Sequence, residues 1–491
     1  MNDGVRIPNR GRNKKTILEE MNNFRAGDVD WKNGRTWALV YHGGEEHSRF
    51  LKEAHNLFFS ENGLNPMAFK SLKRMESEVV RMTAGMLSGD ENTVGTMTSG
   101  GTESLLLAVK TYRDRARKTK PWILRPEIVA PRSIHVAVEK AAHYFGVKLR
   151  HAPVGDDFRV DVAALRKMVG RNTIAIFASA PQYPQGVIDP IDELAAFALS
   201  KKLPLHVDSC IGGFVLPWIE KLGHHVRPWD FRVPGVTSIS ADVHKYGFAA
   251  KGASVIVYRS MDYLRHQFFI STDWPGGVYP SPTLAGTRPG GSIAAAWAAL
   301  MAMGEDGYME QTRVALDAAQ RMQRGIASID GLRVLGPPDA TLVACAADGD
   351  DDIDMYAVAD QMEEKGWHID RQQYPASLHC TVTANNAGVV DGYVADLEAT
   401  VEHVRAHPEL RIEGNAAMYG LMARVPMRGM VKQSVLKVME ALYGPDGEVP
   451  ELSELGSGED DDLVMRLMNR YGGQIFSALD KLEALRKKLP L

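Results

Sequence analysis

Apolar and polar positions change their spacing several times along the 491-residue chain, and each change predicts an element. Residues 67–88 put Met67, Leu72, Met75, Val79, Met82 and Met86 at helical spacing, which predicts one amphipathic helix. Before it, a helical pattern runs through Phe50, Leu51, Ala54, Leu57 and Phe58, after a Gly43-Gly44 turn. Between Thr98 and Tyr258 short apolar runs alternate with helical stretches. Strands are predicted over 127–131, 148–154, 173–180, 204–210, 237–242 and 253–258, and helices over 134–146, 161–170 and 191–202. Strands separated by single helices read as βαβ units, hence an α/β fold with a mostly parallel central sheet and helices on both faces. Beyond Pro289 the chain turns Ala- and Met-rich and helical. A smaller C-terminal α+β unit is predicted from Gly331, with strands over 332–336 and 341–347. The resulting division is an N-terminal segment 1–64, a large α/β domain 65–330 and a small domain 331–491. The acidic tracts 348–354 and 456–462 read as exposed loops.

Composition narrows the function classes. An apolar fraction of 45% with 24% charged residues is that of an ordinary globular protein. The 57 basic and 61 acidic side chains leave a formal charge of −4, and no basic stripe suggests nucleic-acid binding. Three cysteines, Cys210, Cys345 and Cys380, make neither a disulfide framework nor, with histidine, a metal-ligand spacing, so no metal is expected. A reducing compartment fits that usage. No signal peptide and no apolar run of the roughly 18 residues that a spanning helix needs is visible, so a soluble, cytoplasmic protein is expected.

Three segments carry candidate chemistry. Thr98-Ser99-Gly100-Gly101-Thr102-Glu103-Ser104 leads straight into a helical run. Paired glycines allow several N–H groups to share one concave face, and a helix N-terminus attracts anions, so this reads as a phosphate cradle or as a capped tight turn. It lacks the lysine of a nucleotide P-loop. His206-Val207-Asp208-Ser209-Cys210 ends a predicted strand, where ligands collect in open α/β sheets. A carboxylate buried there needs a partner such as a protonated ring nitrogen, unless Asp208 only caps the next turn. Ser238 to Gly247 contains His244 and Lys245, with Lys251 close behind. Alone, a lysine is usually a surface residue. Together, a cradle, a strand-end aspartate and a lysine suit a cofactor with a phosphate, a pyridine nitrogen and an aldehyde, and pyridoxal 5′-phosphate has all three.

These motifs, with residues 133–147, HVDSCIGGF, SADVHKYGFAAKG and DWPGGVYPSPTLAGTRPG, resemble the ordered signatures of fold-type I pyridoxal-phosphate enzymes. More narrowly the chain is similar to the sphingosine-1-phosphate lyases, relatives of the glutamate and aromatic amino-acid decarboxylases. The likeness runs from about Tyr41 to Gly291, and the lyase likeness rests mainly on KYGFAAKG, PQYPQGVIDPI and the DWPGG to RPG stretch. It implies a fold-type I architecture and a homodimer with shared active sites, to which residues 1–64 contribute.

The resemblance also implies residue roles. Lys245 would be the Schiff-base lysine, Asp208 the partner of the ring nitrogen, and His135 the group stacked on one ring face, with Cys210 near the other. Gly100, Gly101, Thr102 and His244 would hold the cofactor phosphate, joined by Gly286 and Thr287 from a second subunit. Tyr41, Asn62, Asn65 and Lys251 would bind the substrate phosphate. Asn65 stands where the family commonly carries histidine, and an amide donates a hydrogen bond but cannot be cationic. His42 is a nearby substitute. The Met-rich stretch 418–427 reads as core, dimer interface or the wall of a lipid channel.

The implied activity is retro-aldol cleavage of phosphorylated long-chain (sphingoid) bases between C2 and C3, giving a long-chain aldehyde and phosphoethanolamine. Tyr183, Tyr246, Lys245 and the substrate phosphate are the candidate bases. An amino-acid decarboxylase would share the lysine and the aspartate but needs no second anion site. A catalytically silent homologue acting as a binding protein would need neither. Eukaryotic lyases resemble membrane-anchored proteins, whereas this chain resembles the soluble bacterial form and is expected to have no transmembrane anchor.

Overall fold

The computed structural model describes residues 6–349, 353–412, 414–424 and 428–445. The acidic tract 456–462 and residues 350–352 of the other acidic tract lie outside the described residues. Among the described residues, seven strands form the central sheet: β1 (Val94–Thr98), β2 (Glu127–Pro131), β3 (Lys148–Ala152), β4 (Thr173–Ser179), β5 (Leu205–Asp208), β6 (Val236–Ala241) and β7 (Ser254–Tyr258). Their order is β1-β7-β6-β5-β4-β2-β3. β2 to β6 pair in parallel, and β7 runs antiparallel to both of its neighbours, β1 and β6. The mostly parallel sheet expected from the sequence is therefore present.

Side-chain alternation feeds two cores, one on each face. Ile176 and Ala178 of β4 join one core with the helices Lys70–Met86 and Ile191–Ser200. Ala175 and Phe177 join the other, with the helices Gly101–Thr119 and Ala137–Phe145. β4 is buried at every position, which is why it reads as one continuous apolar run.

A second sheet follows the helix Gly290–Ser328, which breaks its helical geometry at Gly304. It is antiparallel, and after the small hairpin β8 (Phe269–Ser271) and β9 (Tyr279–Ser281) its strands are β10 (Leu332–Val334), β11 (Leu342–Ala347), β12 (Asp370–Gln372) and β13 (Ser377–Thr381). The N-terminal segment is fastened to this sheet. Trp37 donates its N–H to the His368 carbonyl (3.1 Å) and accepts the Thr381 N–H (2.6 Å). Its fully buried ring stacks on Trp367 at 6.0 Å and meets the edge of Tyr393 at 4.9 Å. The next residues, Ala38, Leu39 and Tyr41, are thereby delivered to the cavity described below.

Trp37→Ala is expected to cost about 3–5 kcal/mol, as for other fully buried tryptophans. Chemical denaturation should register this as a lower midpoint with an unchanged slope.

Candidate active site

A cavity of about 480 Å³ opens where the C-terminal ends of the parallel strands face the second sheet. Strand ends supply Ser179 and Asp208, the loops beyond them Pro181, Tyr183, Cys210 and Asp242, and β12 and β13 supply Asp370 and Thr381. Gly100, Gly101, Thr102, His135, His244, Lys245, Lys251 and Tyr41 also line it. Among the expected site residues these ten therefore meet: Tyr41, Gly100, Gly101, Thr102, His135, Asp208, Cys210, His244, Lys245 and Lys251.

The cradle follows from its sequence. Helix Gly101–Thr119 begins directly after Gly100, so its first N–H groups lie unpaired at the cavity wall. Glu103 fixes the turn, its Oε2 accepting both the Ser99 N–H and the Ser99 hydroxyl at 2.7 Å. At Gly101 a Cβ would stand 2.6 Å from Cys210 Sγ and 2.8 Å from Asp242 Oδ2, so only glycine fits.

Lys245 lies in the middle of a short turn after β6, and its Nζ is 3.0 Å from Asp242 Oδ2. Burial acts to lower the amine's pKa, but the Asp242 carboxylate outweighs it and holds Lys245 above the ordinary lysine range. Asp242 is buried too, and Lys245 and His244 still keep it below the usual carboxylate range. Asp242 was not among the residues singled out from sequence, although it stands three positions before Lys245.

Asp208 Oδ1 accepts the Cys210 N–H (3.1 Å) and the Ser240 hydroxyl (3.4 Å). Behind it His206 contacts Ser240 (3.3 Å) and Ser238 (2.8 Å), and Ser238 meets the Tyr112 hydroxyl. Burial lowers His206 to about 4, so the support under Asp208 is neutral. His135 accepts the Ala137 N–H at Nδ1 (3.1 Å), which orients its ring. Burial raises the Cys210 thiol well above its usual value, leaving an uncharged wall.

Lys251 Nζ donates to the Leu39 (2.8 Å) and His244 (3.4 Å) carbonyls and lies 5.2 Å from the centre of the Tyr41 ring. Desolvation, then repulsion from Lys245, lowers its pKa. Burial raises the Tyr41 hydroxyl to about 12.

Asn62, Asn65, Gly286 and Thr287 do not line this cavity in one chain. Asn62 instead donates to Thr287 Oγ1 (3.3 Å) and accepts the Arg288 N–H (3.2 Å), which joins the two segments on another face. Asn65 caps its own turn through the Met67 and Ala68 N–H groups. His42 contacts Ser48 and the edge of Trp31 and is also outside the cavity. Tyr246 is buried, donating to the Val382 carbonyl (2.8 Å) and contacted by the Thr341 hydroxyl (2.6 Å), which leaves it no path to a ligand here. Tyr183 does line the cavity and donates to Asp370, a residue that no sequence motif marked. The side chains of Met418, Leu421, Met422 and Met427 lie outside the described residues.

The donor set fits pyridoxal phosphate. An amine, a carboxylate and an N–H cradle surround one space, and Asp242 Oδ1 and Ser179 Oγ are buried without a hydrogen-bond partner among the described residues. The conserved-domain pattern of pyridoxal-dependent decarboxylases matches residues 50–345, which makes the chain a member of a pyridoxal-phosphate enzyme class. Sphingosine-1-phosphate lyase of Arabidopsis thaliana is 46% identical over 435 residues, 87% of this chain and 79% of that protein. The sphingosine-1-phosphate lyase structure from Burkholderia pseudomallei superposes with a TM-score of 0.80 at 40% identity, covering 89% of this chain and 97% of the other. Glutamate decarboxylase of Lactobacillus brevis shares the fold (TM-score 0.72, 82% and 95% covered) at 20% identity. Within the pyridoxal-dependent decarboxylases, the chain belongs to the sphingosine-1-phosphate lyase family.

Gly101→Ala is expected to weaken cofactor binding and to lower stability by about 1–3 kcal/mol, the usual cost of overpacking. Absorbance titration of the apoenzyme with pyridoxal phosphate and a thermal melt measure the two effects separately.

Proposed function

We propose that the chain is a pyridoxal-phosphate aldehyde-lyase that cleaves sphingoid base 1-phosphates between C2 and C3, releasing a long-chain aldehyde and phosphoethanolamine. The observation that carries this reading is the second cationic group of the cavity. Lys251 stands beside Tyr41 and donates to the Leu39 and His244 carbonyls, a cation in addition to Lys245 that a substrate phosphate can use. The decarboxylase structure at 20% identity shares the fold alone, while the lyase relative at 46% identity supports the lyase reading.

When bound, pyridoxal phosphate supplies an aldehyde that amines condense with and a conjugated ring that accepts electron density. Lys245 is the amine that would hold it. Asp208 would face its ring nitrogen and keep that nitrogen protonated, because a carboxylate backed by neutral groups favours a nearby cation. Gly100, Gly101, Thr102 and His244 would take its phosphate, with His135 and Cys210 on the two ring faces. Asp242 tunes Lys245: it stores the amine as an ammonium ion and can receive that proton when the amine is engaged.

A homodimer belongs to the same proposal. Leu57, Phe59, Met67, Trp274 and Val278, on the chain segments that flank Asn62 and Thr287, are exposed, and so much exposed apolar surface supports a partner there. In that assembly Gly286, Thr287, Asn62 and Asn65 would complete the neighbouring subunit's cavity. The division at 64/65 and 330/331 is likewise proposed, supported by two separate cores to which helix Gly290–Ser328 contributes in turn. Among the described residues no helix is long and apolar enough to cross a membrane. A cytoplasmic location is the proposed one, on the composition argument.

Given a sphingoid base 1-phosphate, the holoenzyme should form aldehyde and phosphoethanolamine, with Lys245→Ala as the inactive blank, and should release no carbon dioxide from a panel of amino acids. Carbon dioxide without aldehyde would replace the lyase reading by the decarboxylase one.

Lys251→Ala should weaken phosphorylated substrates by about 1.5–3 kcal/mol, the scale of a charged hydrogen bond, and leave dephospho analogues unchanged. The depressed Lys251 pKa adds a sign. Phosphate affinity is present below that pKa and lost as pH rises through it, so KM should climb at a pH below the ordinary lysine range. Lys251→Arg, which keeps its charge, should move that rise to higher pH.

A further inference from the structure

Cleavage of the C2–C3 bond requires the substrate's C3 hydroxyl to lose its proton, and the group that takes it must face the cavity and, if it is itself a hydroxyl, must have somewhere to send its own proton. Tyr246 is tied to Val382 and Thr341, and Lys245, when not engaged with the cofactor, is held as an ammonium ion against Asp242. Of the candidate bases this leaves the substrate phosphate and, from the protein, Tyr183, whose hydroxyl already donates to the carboxylate of Asp370, which reaches the cavity from β12 of the second sheet.

Burial, with the Asp370 charge next, pushes the Tyr183 phenol well above its ordinary value. A free phenolate is therefore not the base. A phenol can still accept a proton if it releases its own in the same step, and Asp370 is placed to receive it. Nothing else claims that carboxylate: among the described residues no cation pairs with Asp370, and the neighbouring Arg371 is engaged by Asp360 and Glu363. The other titratable groups around the pair are Tyr41, Cys380 and His379. The His379 ring packs 4.3 Å from Tyr183, contacts the Pro184 carbonyl and Thr381, and is lowered to about 4 by burial, so it is neutral.

We propose that Tyr183 and Asp370 form a proton relay for the substrate's C3 hydroxyl, with Asp370 acting only through Tyr183. This rests on the lyase reading given above. In the step, the C3 O–H bond breaks and its proton passes to the Tyr183 oxygen, while Tyr183's own proton passes to Asp370. The oxygen's electron pair forms the aldehyde C=O, and the C2–C3 bonding pair stays with the amino-bearing carbon, delocalised into the bound cofactor. That carbon must regain one proton before phosphoethanolamine leaves. The count closes when Asp370 returns its proton through Tyr183.

The test compares holoenzymes of the wild type, Asp370→Asn, Asp370→Glu and Tyr183→Phe on a sphingoid base 1-phosphate. It also measures the affinity of each apoenzyme for pyridoxal phosphate and of each holoenzyme for a 3-deoxy phosphorylated long-chain amine, which has no hydroxyl to deprotonate. Asp370→Asn is expected to lower kcat by about 10²–10⁴-fold, the range for general acid–base groups, with KM and both affinities unchanged. Asp370→Glu should restore part of kcat. Joining Asp370→Asn to Tyr183→Phe should be no worse than either change alone, as for groups that act as one unit. Wild-type kcat in Asp370→Asn would overturn the relay, and so would a loss that arrives together with lost cofactor or analogue binding, the mark of a purely structural role. A wild-type holoenzyme that cleaves nothing would overturn the lyase reading and the relay together. That outcome is visible in the unmutated sample and so is distinct from failure of the relay alone.

Discussion

The ion pair between Lys245 and Asp242 is the interaction on which the rest of the site depends. Asp242 is buried and Lys245 half-buried, so removing the amine leaves a buried carboxylate without its cation, and each residue holds the other just after β6. The carboxylate also sets the limits of the cradle. Asp242 and Cys210 crowd the space a side chain at Gly101 would need, so the turn before helix Gly101–Thr119 passes close to the lysine. That closeness puts an amine, an anion-attracting helix end and the Asp208 carboxylate around one cavity of about 480 Å³.

The cavity is two-sided, and its second side is held by contacts far from the chemistry. Arg159 donates to Asp339 at 2.7 Å, and the Ile188 N–H reaches the same carboxylate oxygen at 2.7 Å. Tyr246, next to Lys245 in the chain, donates to Val382 beyond β13. These bonds set the distance between the strand that carries Asp370 and the turn that carries Lys245. Trp37 does the same for the entering chain, so Tyr41 reaches the cavity as part of a packed unit rather than a loose arm. Chemistry at Lys245 thus depends on packing in a sheet that shares none of its motifs.

That division of labour explains what could be read from sequence. Strands β2 to β7 were legible because short segments with apolar residues alternate with helical stretches, and the expected span 127–131 of β2 agrees at both ends. β1 was missed: Val94–Thr98 contains a glycine and two threonines and is only half-buried at its start. In the second sheet, Asp370–Gln372 has no apolar residue and Ser377–Thr381 has few, so periodicity could not find β12 or β13. Asp370 and Thr381 came to light only when the two sheets met. Asp208, Lys245 and the paired glycines were legible because their chemistry dictates residue type. Asn62 and Thr287 were legible as residues, but their place is not in one chain's cavity, where only Tyr41 and Lys251 of the expected phosphate group meet.

Whether Lys245 is the residue that holds the cofactor is tested most directly by borohydride reduction of the holoenzyme followed by peptide mass mapping. One pyridoxyl group per chain is expected, on the peptide containing Lys245 and on that residue. Attachment at Lys251, at any other lysine, or at none would contradict that role for Lys245.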